Sequence, residues 1–101
     1  MNILIPCDGT DAQNSKITTL AEQKKWALID FENGQVQNTQ FFDDRENTGA
    51  DWIDFVILAN KFENYLDFMN EGMMCLVRRE EETLEEVMSA FIFKELDEIG
   101  S

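Results

Sequence analysis

Two hydrophobic periods alternate along this chain, and the switches between them mark its elements. The clearest sequence of switches runs from Trp52 to Val77. Ile53-Asp54-Phe55-Val56-Ile57-Leu58 is a short run rich in β-branched and aromatic residues, and Met73-Met74-Cys75-Leu76-Val77 is a second. Both are nearly free of charge, as strands buried on both faces are. Between them Phe62, Tyr65, Leu66 and Met69 recur at helical spacing, predicting a helix over Lys61 to Glu71 with one stripe on a sheet. Asn60 suits an N-cap, Glu63 can complete a capping box, and Gly72 supplies the left-handed residue that ends a helix. A strand, a helix and a strand with such short joints form a parallel, right-handed βαβ unit.

The N-terminal half reads in period two. Asn2 to Pro6 predicts a first strand around Ile3-Leu4-Ile5, with Pro6 at its end because proline cannot donate to a ladder. Cys7-Asp8-Gly9-Thr10-Asp11 is then a loop at the carboxyl end of that strand, where open α/β sheets commonly place ligands. Ala12 to Lys25 is polar, and Ile17, Leu20 and Ala21 predict one or two helical turns ending near Lys24-Lys25. Trp26 to Phe31 and Gln35 to Phe42 predict a hairpin closed by Asn33-Gly34, with the second strand half-wet at a sheet edge. Asp43 to Asp51 reads as an exposed connection.

After the βαβ unit, Arg78 to Glu82 is a charged joint. Thr83-Leu84-Glu85-Glu86 then opens the last helix as a capping box. Leu84, Val87, Met88, Phe91, Ile92 and Leu96 form its apolar face, with Phe93 on the opposite side and Gly100-Ser101 as a fraying tail. The order predicts a three-layer α/β domain spanning 1–101. Its mixed five-stranded sheet is parallel in the centre, with an antiparallel hairpin at one edge and helices on its faces.

Charge narrows the function. The chain has 21 acidic and 8 basic residues, net −13, so a phosphate backbone or an anionic membrane meets long-range repulsion. Nucleic acid and membrane are therefore not expected partners; the acidity reads first as a means of keeping a small protein in solution, with a basic protein partner as the sharper alternative. No apolar run approaches the roughly 20 residues of a membrane span. The N-terminus lacks a basic region and a long apolar stretch, so a cytoplasmic location is expected. There is no histidine, which removes Ser-His and Cys-His catalysis and the commonest nitrogen ligand of metals. Cys7 and Cys75 stand far apart, which reads as two free thiols.

The order of elements and several local strings resemble the dinitrogenase iron–molybdenum cofactor biosynthesis family, small NifX-like domains with a ribonuclease H-like fold. Ile3-Leu4-Ile5-Pro6-Cys7-Asp8-Gly9 resembles the family's first strand followed by Pro-x-Asp-Gly-type residues. Ser15-Lys16-Ile17 stands where the family has a small polar residue before its binding loop, and Asp30 to Val36 resembles its hairpin turn. Asp54 to Ala59, Gly72-Met73 and Thr83 to Val87 resemble the closing βαβα portion. Leu20-Ala21-Glu22-Gln23 replaces the family's His-Phe-Gly-Arg type stretch, so a histidine ligand does not carry over.

The resemblance implies a non-enzymatic accessory or carrier protein for an iron–sulfur or iron–molybdenum cofactor or its precursor. Cys7, Asp8, Gly9 and Ser15 would line that site, with Cys7 as the metal ligand. It also implies a partner that handles metalloclusters, and a monomer or weak homo-oligomer. The alternative is a divergent member without a cofactor site that acts through protein contacts. Cys75 and the methionines Met69, Met73, Met74 and Met88 fall at core spacings, although their sulfur could line a cofactor. A metal-dependent nuclease would need clustered carboxylates. Asp8 and Asp54 fall at opposite ends of parallel strands, which argues against one. Glu80-Glu81-Glu82 and Glu85-Glu86 read as a solvated helix start, and Trp52 and Phe93 as residues that could share an exposed patch.

Overall fold

The computed structural model describes residues 1–99. The predicted tail Gly100-Ser101 lies outside them. Strand β1 (Asn2–Cys7) is the centre of the sheet. It pairs antiparallel with β2 (Lys25–Glu32) on one edge and parallel with β4 (Phe55–Leu58) on the other. Beyond β2 lies β3 (Gln35–Phe42), and beyond β4 lie β5 (Met74–Val77) and β6 (Asp97–Ile99). The order is β3-β2-β1-β4-β5-β6. The two helices are α1 (Leu66–Asn70) and α2 (Leu84–Ile92).

Alternation along β1 sorts the core into two layers. Ile3, Ile5 and Cys7 face α2, where they join Ala27, Ile29 and Ile57 beneath Leu84, Val87 and Met88. Leu4 faces the α1 side with Leu28, Val56, Leu58, Phe68 and Cys75. Ile3, Leu4 and Ile5 have no exposed surface at all. Full burial of each such side chain contributes roughly 1.5–3 kcal/mol. Cys75 is a core residue, as its position mid-strand predicts. Met73 and Met88 are buried and Met69 is partly buried, whereas Met74 is 46% exposed and outside the core.

The Asn33-Gly34 turn closes the β2–β3 hairpin with both residues at positive φ, the type I′ geometry that matches strand twist. β1 runs one residue past Pro6. Its ladder with β4 ends at Leu4, so the proline's missing N–H falls beside the following loop, and its carbonyl accepts from Thr18 N–H at 3.0 Å.

Four expectations need correction. Ala12 to Lys25 contains no helix, because its backbone groups bond mainly to the end of β1 and the start of α2, with Glu22 N–H to Thr19 O at 3.2 Å as an isolated turn within it. The helix expected over Lys61 to Glu71 is only the five-residue α1. Asn60 Oδ1 accepts from Phe62 N–H at 2.9 Å in a local turn, and Glu63 Oε2 accepts from Leu20 N–H, so neither side chain caps α1. Phe62 and Leu66 therefore leave the inner stripe, and Phe68 takes their place in the core.

The strand around β4 is also shorter than the apolar run, because Asp54 accepts the N–H of Asn2 at its edge. Finally, the sheet has six strands, not five. α2 stops at Ile92, and Lys94 at φ +59 forms a Schellman turn. Glu95 N–H donates to Ala90 O at 2.8 Å and Lys94 N–H to Phe91 O at 3.2 Å. Leu96 then belongs to the link into β6, not to the helix face, although it still packs against the α2-side core.

Two substitutions test these turns. Gly72 has φ +93, and a Cβ there would stand 2.6 Å from the ring of Trp52. Gly72→Ala is expected to destabilise by about 1–2 kcal/mol from the backbone conformation alone. Urea unfolding measures this, and a Trp52→Ala background removes the ring clash but not the backbone penalty. Lys94→Gly relieves a left-handed lysine and is expected to stabilise by about 0.5–1 kcal/mol in the same assay.

Candidate functional site

Cys7 ends β1, and the loop that leaves it holds the other three predicted site residues, Asp8, Gly9 and Ser15, closed upon itself. Asp8 exchanges two hydrogen bonds with Lys16: its N–H donates to Lys16 O at 3.0 Å, and its Oδ1 accepts from Lys16 N–H at 2.8 Å. Asp11 Oδ1 accepts from the N–H groups of Gln13 and Asn14, both at 2.9 Å, an Asx turn that holds its carboxyl below the usual range. Ser15 is buried, and its Oγ accepts from Asp11 N–H at 2.8 Å. Gly9 passes so close that a Cβ there would lie 3.2 Å from Ser15 Oγ.

The same loop straps down the start of α2. Leu84 N–H donates to Ser15 O at 2.9 Å and Glu85 N–H to Gln13 O at 3.1 Å. The N–H of Glu86 is taken by Thr83 Oγ1 at 3.2 Å, and the Glu86 carboxylate returns to Thr83 N–H at 3.1 Å, completing the predicted capping box. The first three amides of the helix are thus satisfied within the protein. An anion is offered none of the donors that make a helix N-terminus a binding site.

Cys7 sits beneath this strap with no exposed surface, and its Sγ–H donates inward to Gly9 O at 3.4 Å. Burial pushes the thiol pKa up, with the charge of Asp8 adding to the effect, so the thiolate that metals and electrophiles require is disfavoured. Cys75 is likewise buried with a raised pKa. A metal–sulfur group needs several converging anionic donors. Among the described residues no three of His, Cys, Asp and Glu converge. The structure brings Cys7, Asp8, Gly9 and Ser15 together at the end of β1, but Cys7 is buried in the α2-side core and Ser15 is turned to Asp11, and the set as arranged does not fit such a group.

Asp8 follows β1 and Asp54 precedes the parallel β4, so the two carboxylates stand at opposite ends of the sheet. Trp52 and Phe93 are both exposed, Trp52 against Gly72 and Phe93 at the end of α2. Past the end of α2, lined by Ile92 and Lys94 but not by Phe93, an apolar cleft of about 390 Å3 opens over Phe31, Phe55, Leu76 and Phe91. The Phe91 ring meets Phe31 and Phe55 edge-to-face at 5.4 and 5.1 Å. Periodicity alone points Phe91 to the core. The opening arises because α2 ends after nine residues and leaves part of the sheet uncovered.

Comparison with known proteins establishes the fold. No protein-family model matches the chain, and no curated protein matches it in sequence. Solved structures do. The crystal structure of PH0822 superposes with TM-score 0.75 at 15% identity, covering 97% of this chain and 96% of that one. A provisionally named dinitrogenase from Methanocaldococcus jannaschii gives TM-score 0.73 at 21% identity, covering 100% and 96%. A provisionally named NifB protein from Thermotoga, described as belonging to the DUF35 family, gives 0.71 at 20%, covering 96% and 91%. The similarity spans the whole length of each chain, and at these identities it establishes a shared α/β architecture. Among the described residues no helix is long and apolar enough to cross a membrane.

The closed loop makes two measurable predictions. Both thiols are expected to react slowly with a disulfide reagent in the native protein at pH 8, and to react fully in denaturant. Rapid labelling of Cys7 would mean that the loop opens. Ser15→Ala removes the acceptor of Asp11 N–H and is expected to cost about 1 kcal/mol in chemical denaturation.

Proposed function

We propose that this protein is a non-enzymatic accessory protein that works through contact with another protein, of the divergent kind its NifX-like resemblance allows. The observation that carries this reading is the loop after β1. Its cysteine is buried and its serine is committed to Asp11, while its backbone is spent on the start of α2. Two of the structurally similar proteins bear names from dinitrogenase biology, which supports an accessory role in the same setting. The mixed sheet, with an antiparallel hairpin at one edge and parallel strands beside β1, is compatible with the NifX-like reading, and β6 extends it.

The surface supports the contact. Net charge −13 favours a basic partner and accelerates its encounter. Phe93, 71% exposed at the end of α2, and the apolar cleft over Phe31, Phe55, Leu76 and Phe91 each offer a hydrophobic anchor within that field. A metallocluster-handling protein with a basic face would meet both features. The second reading is a cofactor carrier with Cys7 as ligand, and it requires the strap over Cys7 to open. No step of chemistry is assigned to the carboxylates, since Asp8 serves the loop backbone and Asp54 the N–H of Asn2.

The decisive experiment is anaerobic mixing of the reduced protein with an iron–sulfur or iron–molybdenum cofactor preparation, followed by gel filtration and metal analysis. Clean separation of iron from the protein is expected. Co-elution of iron that disappears in Cys7→Ser would replace protein contact by cofactor carriage.

A further inference from the structure

Away from the loop of β1, a second concavity of about 710 Å3 lies at the carboxyl ends of β4 and β5, bounded by β6 and the β4–α1 connection. Its charge is out of character for the chain. Lys61, Arg78 and Arg79 line it, three of the eight basic residues in a protein with 21 acidic ones. Against them stand only Asp97 and Glu98, so the lining carries one net positive charge within a strongly negative molecule.

The cations are held differently. Arg78 is half-buried. Its Nε donates to Ala59 O at 3.1 Å and its Nη1 to Glu81 O at 2.8 Å. These carbonyls fix the guanidinium without neutralising it and leave Nη2 uncommitted among the described residues. Arg79 is neutralised by Asp97 through two nitrogens, Nε at 3.2 Å and Nη2 at 2.9 Å. Lys61 forms no salt bridge among the described residues. Its Nζ lies 5.4 Å from the centroid of the Phe62 ring. Phe62 is 85% exposed and takes no part in either core layer, while Tyr65, half-buried, joins it in the wall. An aromatic ring held in water beside a free ammonium and a pinned guanidinium has no stabilising role in the fold.

We infer that this cleft binds a small ligand consisting of a flat aromatic ring with a single acidic group. The ring would stack on Phe62 and Tyr65, and the acid would be shared by Lys61 Nζ and Arg78 Nη2. One acidic group is specified because Arg79 is already spent on Asp97, which leaves Lys61 and Arg78 as the cations on offer with Glu98 opposing a second acid. The volume is that of a small-molecule site, not of a macromolecular groove. A carboxylate and a phosphate monoester share this chemistry.

An amide chemical-shift titration of the full chain tests the inference, with AMP and para-aminobenzoate as flat anions and adenosine and inorganic phosphate as their neutral and ring-free controls. Saturable shifts at Lys61, Phe62, Arg78 and Arg79 are expected with at least one flat anion, and its preferred form identifies phosphate or carboxylate. Both controls should bind at least about tenfold more weakly, a difference of roughly 1.4 kcal/mol. Phe62→Ala and Lys61→Met, both at exposed positions, should each weaken binding about tenfold with the remaining amide spectrum unchanged. The inference is overturned if neither flat anion moves these amides, if a control binds equally well, or if both variants bind like the parent.

Discussion

The first two amides of α2 donate to the segment that leaves β1, and that junction sets the rest of the α2-side layer. Gln13 and Ser15 offer their carbonyls to Glu85 and Leu84, and Thr83 completes the cap. With its start pinned there, the helix lowers Leu84, Val87 and Met88 onto Ile3, Ile5 and Ile29. The loop gains definition in return, because these two carbonyls acquire fixed partners and Ile17 N–H finds Glu82 O at 2.8 Å. Orphan helix donors and unpaired loop acceptors are each costly when shielded from water, and here one group satisfies the other. Seventeen residues without regular structure between β1 and β2 are thereby ordered without a helix of their own.

The same junction removes the chemistry expected of the loop. Open α/β sheets commonly bind ligands at the carboxyl ends of their strands, where unpaired amides and helix N-termini offer donors. In this protein those donors are consumed internally at β1, and Cys7 is sealed below them. At the next two strands, β4 and β5, the corresponding rim is open. Arg78 crosses it on backbone carbonyls, and Phe62 and Lys61 stand out from the turn that precedes the short α1. The binding capacity of the sheet's carboxyl edge has moved from the first strand to the fourth and fifth.

Charge acts on two length scales. At long range the excess of 13 negative charges governs which partners approach. Within a few ångströms, local pairing decides. Arg45 lies over the Phe68 ring at 4.5 Å and grips Glu71 through two nitrogens at 3.0 and 2.7 Å. Its guanidinium holds the Glu71 carboxyl below the usual range. That contribution is present at neutral pH and fades as pH falls through the lowered value, modestly because Glu71 is largely solvated.

Much of the fold was legible in the residues. β1, the Asn33-Gly34 hairpin, the β4–α1–β5 order, Gly72 and the Thr83–Glu86 capping box all rest on local patterns whose physics acts within a few residues. Period-two alternation, a type I′ turn and an N-cap need no distant partner. What the sequence could not disclose depended on partners far along the chain. Glu63 was free to cap α1 until Leu20 claimed it, and Ser15 was free to face a ligand until Asp11 and Leu84 claimed it. Lys94 carries no helix-stop signal, because lysine adopts a left-handed conformation only when the following strand finds a ladder, which β5 provides to β6. Lys61, Phe62 and Arg78 form no motif, since only the parallel pairing of β4 with β5 brings them to one cleft. The sequence by itself determined the strands β1 to β5, the capped start of α2 and the acidity of the surface, because those properties are local or additive. The tertiary structure decided which loop is closed and which rim is open, because a hydrogen-bonding group can satisfy only the partners that the fold brings within about 3 Å.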